Sequence, residues 1–114
     1  MDEVIEIAEK LSQAIARSVR YRDLRKAEKA AMADPEAMAL FKARADAAQK
    51  IAEKERAKLP IEPEDKRALL AAEQKIRTNA ILGELSRAQA DFHEMLNIVN
   101  GKITAALEPP ADQS

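Results

Sequence analysis

His93 is the one histidine in a chain of 114 residues that holds 0 cysteines. A histidine followed by Glu94 opens the helical zinc-protease pattern, in which a second imidazole four residues on reaches the same ion. Position 97 is Asn, so that ligand is missing. Di-iron helical bundles set a Glu three residues before each of two histidines. Position 90 is Ala, and no second histidine exists. His93 therefore reads as a polar residue beside an apolar helical seam. The 20 Asp and Glu are spread among 19 Lys and Arg at helix-surface spacing, the pattern of a solvated face. No glycine-rich phosphate loop and no serine elbow occurs. Without cysteine there is no thiolate metal site, cysteine nucleophile or disulfide. The expectation is no catalytic residue, no cofactor and no metal, in a chain that is not an enzyme.

One charged cluster does stand out. Arg17, Arg20, Arg22, Arg25, Lys26 and Lys29 follow closely, opposed only by Asp23 and Glu28. Together with Tyr21, the sole tyrosine, they form a candidate partner-docking patch, since Tyr and Arg are enriched at binding hot spots. The plainer alternative is solvation plus complementation of a helix C-terminal dipole. Tyr21 can also simply cover the end of a core with its hydroxyl outward. No aromatic side chains interleave with the bases, so a base-stacking nucleic-acid surface is poorly supported. The net charge of −1 argues against a nonspecific polyanion binder.

The elements that must position this patch are helices. The chain has 2 Gly, 3 % aromatic residues and abundant Ala, Glu, Lys, Arg and Leu, which lose little freedom in a helix. Apolar residues at three-four spacing from Val4 and Ile7 through Leu11, Ile15 and Leu24 predict one long helix over 2–32. Asp34-Pro35-Glu36 punctuates it and starts a second helix reaching Leu59. Pro60-Ile61-Glu62-Pro63 is a stiff connection to a third helix, which carries Leu69, Leu70 and Ile76. Thr78-Asn79 predicts a break or kink, with one uninterrupted helix as the alternative. The last helix carries Ile81, Leu85, Ala88, Phe92, Leu96, Val99, Ile103 and Leu107, close to a coiled-coil seam. Gly101 inside it costs about 1 kcal/mol relative to Ala unless something packs there.

The sequence thus predicts an all-α fold, an antiparallel helical bundle of three to four helices with long first and last helices. A single domain is expected over residues 1–108, with a flexible tail over 109–114. The candidate core or dimer seam comprises Leu11, Ile15, Phe41, Leu85, Phe92, Leu96, Val99 and Ile103. Long helices with an alanine-rich core have more stripe than a slender bundle covers, so a homodimer is expected. No apolar run reaches the roughly 18 residues of a membrane span. The acidic start Met1-Asp2-Glu3 is unlike a signal peptide. The expected location is the cytoplasm.

Leu11-Ser12-Gln13-Ala14-Ile15-Ala16-Arg17-Ser18, followed by Tyr21, Leu24 and Ala27, resembles the opening of the YlbF/YmcA family of bacterial proteins. Asp34-Pro35-Glu36-Ala37 with Phe41 is similar to the family's second helix, and Asn79-Ala80-Ile81 leading to Ala88-Gln89 and Phe92 to its closing helix. The resemblance covers roughly Ile5 to Leu107, and order and spacing carry it rather than any single motif. It implies an all-helical bundle that self-associates and has a regulatory role. The best-known members act with partner proteins on an RNA-cleaving enzyme and so affect competence, sporulation and biofilm formation. Others, such as the YheA group, are less understood. Some members use cysteines in a complex carrying iron–sulfur clusters, a role that a chain with 0 Cys does not inherit. What the resemblance implies here is a non-catalytic adaptor with protein partners, itself included, and RNA reached only indirectly. The residues alone leave room for a purely structural self-associating bundle, a helical chaperone or a nucleic-acid-binding module.

Overall fold

The computed structural model describes residues 2–109, whose regular secondary structure is all helical. Apart from Pro109, the expected C-terminal tail lies outside the described residues. The helices are α1 (Glu3–Ala16), α2 (Val19–Ala33), α3 (Pro35–Arg56), α4 (Pro63–Thr78) and α5 (Ala80–Leu107). That makes five among the described residues rather than three or four, and the expected long first helix is two helices.

The unexpected break is the work of Ser18. Its hydroxyl donates to the Ile15 carbonyl at 2.7 Å and accepts from the Tyr21 N–H at 3.1 Å. One side chain thus satisfies a carbonyl at the end of α1 and an orphan amide at the start of α2, so interrupting the helix leaves little unpaired. The Ser18 carbonyl then accepts from Arg22 N–H to begin α2. Asp2 caps α1 by accepting from Val4 N–H at 2.9 Å.

The other boundaries fall near the sequence signals. Asp34 accepts from Ala37 N–H at 2.9 Å, with Pro35 in the first turn of α3. Asn79 accepts from Leu82 N–H at 3.0 Å and separates α4 from α5. The second helix ends at Arg56, short of Leu59. There Lys58 takes the left-handed conformation (φ 58°), while Lys58 N–H bonds to the Glu55 carbonyl and Leu59 N–H to that of Lys54. This is the Schellman stop, with lysine where glycine is usual.

The chain divides into two compact units, Met1–Arg25 with Arg87–Ser114, and Lys26–Ser86. In the second unit α3 and α4 pack side by side as an antiparallel hairpin. The buried residues of this unit are small or aliphatic: Ala31, Ala37, Ala72, Leu82 and Leu85, with the one exception of Asp65. In the first unit Leu24 and Ala88 are buried. Ile15, Tyr21, Phe92, Leu96 and Val99 are half-buried there. Alanines let helix axes approach but bury little area each, so both cores are thin.

Candidate protein-docking surfaces

The basic residues flank and occupy α2. Arg17 is the C-cap of α1, where a cation suits the negative end of that helix dipole. Arg20 and Arg22 sit instead in the first turn of α2, which has no acidic residue. Arg20 is half-buried and donates from Nη1 to the Asp91 carbonyl at 3.2 Å. Arg17, Arg22 and Arg25 are exposed, as are Lys26 and Lys29 further along the helix. Lys26 and Lys29 precede the last turn of α2, which carries no base.

Tyr21 is half-buried, with its ring centroid 5.5 Å from that of Phe92 at an interplanar angle of 50°. This tilted pair pins the start of α2 to α5. His93, next along α5, is exposed and meets the Phe92 ring edge-on at 6.3 Å. Among the described residues no group of three or more His, Asp or Glu is gathered as metal ligands would be.

The seam residues separate into two sets. Leu85 is buried, and Ile15, Phe41, Phe92, Leu96 and Val99 are half-buried. Leu11 is 37 % exposed and Ile103 49 %, so neither belongs to the core of the chain. On α1 no residue is buried, and Val4 and Ile7 stand 68 % and 55 % exposed. Ile98 and Leu107 are likewise exposed on α5.

In the second unit Asp65, an acid in the first turn of α4, is buried. Its carboxylate is 2 % exposed, accepts a hydrogen bond from Lys54 Nζ, lies 3.4 Å from Lys50 Nζ and accepts from Glu62 N–H at 2.9 Å. The bonds from Lys54 and from the Glu62 amide hold its pKa down to about 2, against the opposing pull of burial, and Lys50 adds to the lowering. Asp65 is recognisable from sequence as a first-turn acid, but its lysine partners come from a neighbouring helix. At the other end of the hairpin Arg44, Glu73, Ile76 and Arg77 line a shallow open cleft.

No helix among the described residues is long and apolar enough to cross a membrane. What the surfaces offer is a helical bundle with exposed basic and apolar faces. The sequence pattern of the family described as "Control of competence regulator ComK, YlbF/YmcA" matches residues 4–108. The chain therefore belongs to the YlbF/YmcA family. A UPF0342 protein of Desulfitobacterium hafniense is 31 % identical over 105 residues, covering 92 % of this chain and 80 % of that protein. The fold is similar to that of Bacillus subtilis RicA, solved in complex with RicF. The TM-score is 0.83 at 19 % identity, over 91 % of this chain and 92 % of that one. A DUF964 protein of unknown function from Bacillus stearothermophilus aligns with a TM-score of 0.72 at 21 % identity, over 93 % of each chain.

Proposed function

We propose that this chain is a non-catalytic cytoplasmic adaptor or regulator, acting through helix-face contacts with other proteins and with a second copy of itself. RNA is engaged only indirectly, as for family members that modulate RNA processing. The observation that carries the reading is the position of Arg20 and Arg22 in the first turn of α2. Cations at that end oppose the helix dipole, an effect of roughly 0.3–1 kcal/mol each. Dipole complementation, which suits Arg17 at the end of α1, therefore does not account for Arg20 and Arg22. Arg20 offsets this by donating a hydrogen bond to the Asp91 carbonyl, while Arg22 is exposed. A complementary acidic protein surface supplies the missing reason. RicA, which shares the fold, is found in a protein complex, and this supports the same mode of action.

A purely structural self-associating bundle is the second reading, favoured by the uncovered stripe of α1. Affinity capture from native extract, with and without nuclease, separates the possibilities. The adaptor reading expects defined protein partners whose recovery survives nuclease. Recovery that collapses with nuclease identifies a nucleic-acid binder instead, and recovery of the chain alone identifies the structural bundle.

A further inference from the structure

The apolar stripe of α1 contributes no buried residue, although it runs the length of a 14-residue helix. A helix that short is marginal in water unless something packs against it. Its stripe falls at alternating three- and four-residue steps: Val4, Ile7, Leu11 and Ala14. These are the a and d positions of two heptads. The charges along the same helix are lopsided. Asp2, Glu3, Glu6 and Glu9 occupy its first half, while Lys10 and Arg17 follow. None of Glu3, Glu6, Glu9, Lys10 or Arg17 forms an ion pair among the described residues.

We infer that α1 pairs antiparallel with α1 of a second copy. A two-fold interface must be self-complementary, residue i meeting j and j meeting i. Reversing α1 on itself sets Val4 against Ala14 of the other copy and Ile7 against Leu11, so apolar meets apolar at every layer. The same reversal brings Glu3 beside Arg17, both on one flank of the stripe at g-type positions, twice per dimer. The same register sets Lys10 beside its own symmetry mate near the two-fold axis, one like-charge contact against two opposite-charge ones. Parallel pairing would instead set Glu3 against Ala8 of the other copy and leave both Glu3 and Arg17 without an opposite charge. The acidic first half of α1 also disfavours an anionic lipid surface as the occupant. The stripe from Val4 to Ala14 is only about 15 Å long, so the expected dissociation constant is roughly micromolar.

This inference rests on the self-association proposed above, and the test keeps the two apart. The native chain has 0 Cys, so engineered thiols report contacts without background. Positions 4 and 14 are about 15 Å apart along one helix, beyond the roughly 7 Å Cα separation a disulfide spans. The full-length Val4→Cys/Ala14→Cys chain should oxidise to a covalent dimer, and Val4→Cys alone should not. Sedimentation equilibrium should find a dimer for the native chain. Leu11→Glu should raise its dissociation constant by roughly 100-fold, since two carboxylates would enter the seam. Glu3→Arg should weaken it, and Glu3→Arg/Arg17→Glu should restore it. A dimer indifferent to Leu11→Glu and uncrosslinked by the double cysteine overturns the α1 pairing while leaving self-association intact. A monomer at about 100 μM overturns both.

Discussion

Lys54 and Asp65 join the end of α3 to the start of α4 through a hydrogen bond onto a carboxylate that is 2 % exposed. The same carboxylate caps α4 by accepting from Glu62 N–H. One side chain therefore fixes both the start of a helix and its attachment to the neighbour. That dual bonding is why Asp65 titrates at about 2, below its ordinary 3.8.

The pH dependence of stability follows from that shift. A carboxyl whose folded pKa lies below its unfolded value contributes stability that is complete above the unfolded value. That contribution is lost as pH falls from about 4 towards 2. Asp65→Asn should lower the melting temperature at neutral pH, because the Lys54 and Lys50 ammonium groups lose their partner. The gap between variant and native chain should close across that acid window. Thermal melts followed by circular dichroism between pH 7 and 2 test this. A gap that stays constant down to pH 2 would exclude Asp65 as the titrating group.

Phe92 is half-buried against Tyr21, so its truncation should cost less than that of a fully enclosed ring. Phe92→Ala should destabilise by about 2–3 kcal/mol, below the 3–5 typical of full burial. A double-mutant cycle with Tyr21→Ala should return a coupling of about 0.5–1.5 kcal/mol from the ring pair. Urea denaturation measures all four corners, and additive losses would show that the rings do not support each other.

Two positions carry backbone mismatches of opposite kind. Lys58 holds the left-handed conformation that glycine adopts freely, so Lys58→Gly should stabilise by about 1 kcal/mol. Gly101 lies inside α5, and a methyl group built there meets nothing within 4 Å. Gly101→Ala should likewise gain about 1 kcal/mol. Chemical denaturation decides both, and a loss on Gly101→Ala would reveal close packing at that site.

The cap signals were legible because they are local. Asp34 and Asn79 accept from amides three residues on, Pro35 fixes its own backbone angle, and the structure places helix boundaries there. Ser18 was not legible, because the apolar stripe runs unbroken across it from Ile15 to Tyr21 and Leu24. A serine inside such a stripe reads as an ordinary helical residue until its two hydrogen bonds are seen. Ser18→Ala should cost about 1 kcal/mol as a lost cap. Asp65 shows another limit: its acidity suits a first turn, but the lysines that enclose it lie 11 and 15 residues earlier on another helix. The periodicity of Leu11 and Ile103 was also plain, yet a stripe does not say what covers it. The spacing gathered all six candidate docking bases towards the end of one long first helix. Only the break at Ser18 put Arg20 and Arg22 at the unfavourable end of a helix dipole.

The account turns on α2 as a protein-docking surface. Its most direct test compares partners captured from nuclease-treated native extract by the native chain and by Arg22→Glu/Lys26→Glu/Lys29→Glu. All three positions are exposed, so the variant should keep its helical circular dichroism. The account predicts that the native chain retains specific proteins with acidic surfaces and that the variant loses them. Equal recovery by both chains would contradict it.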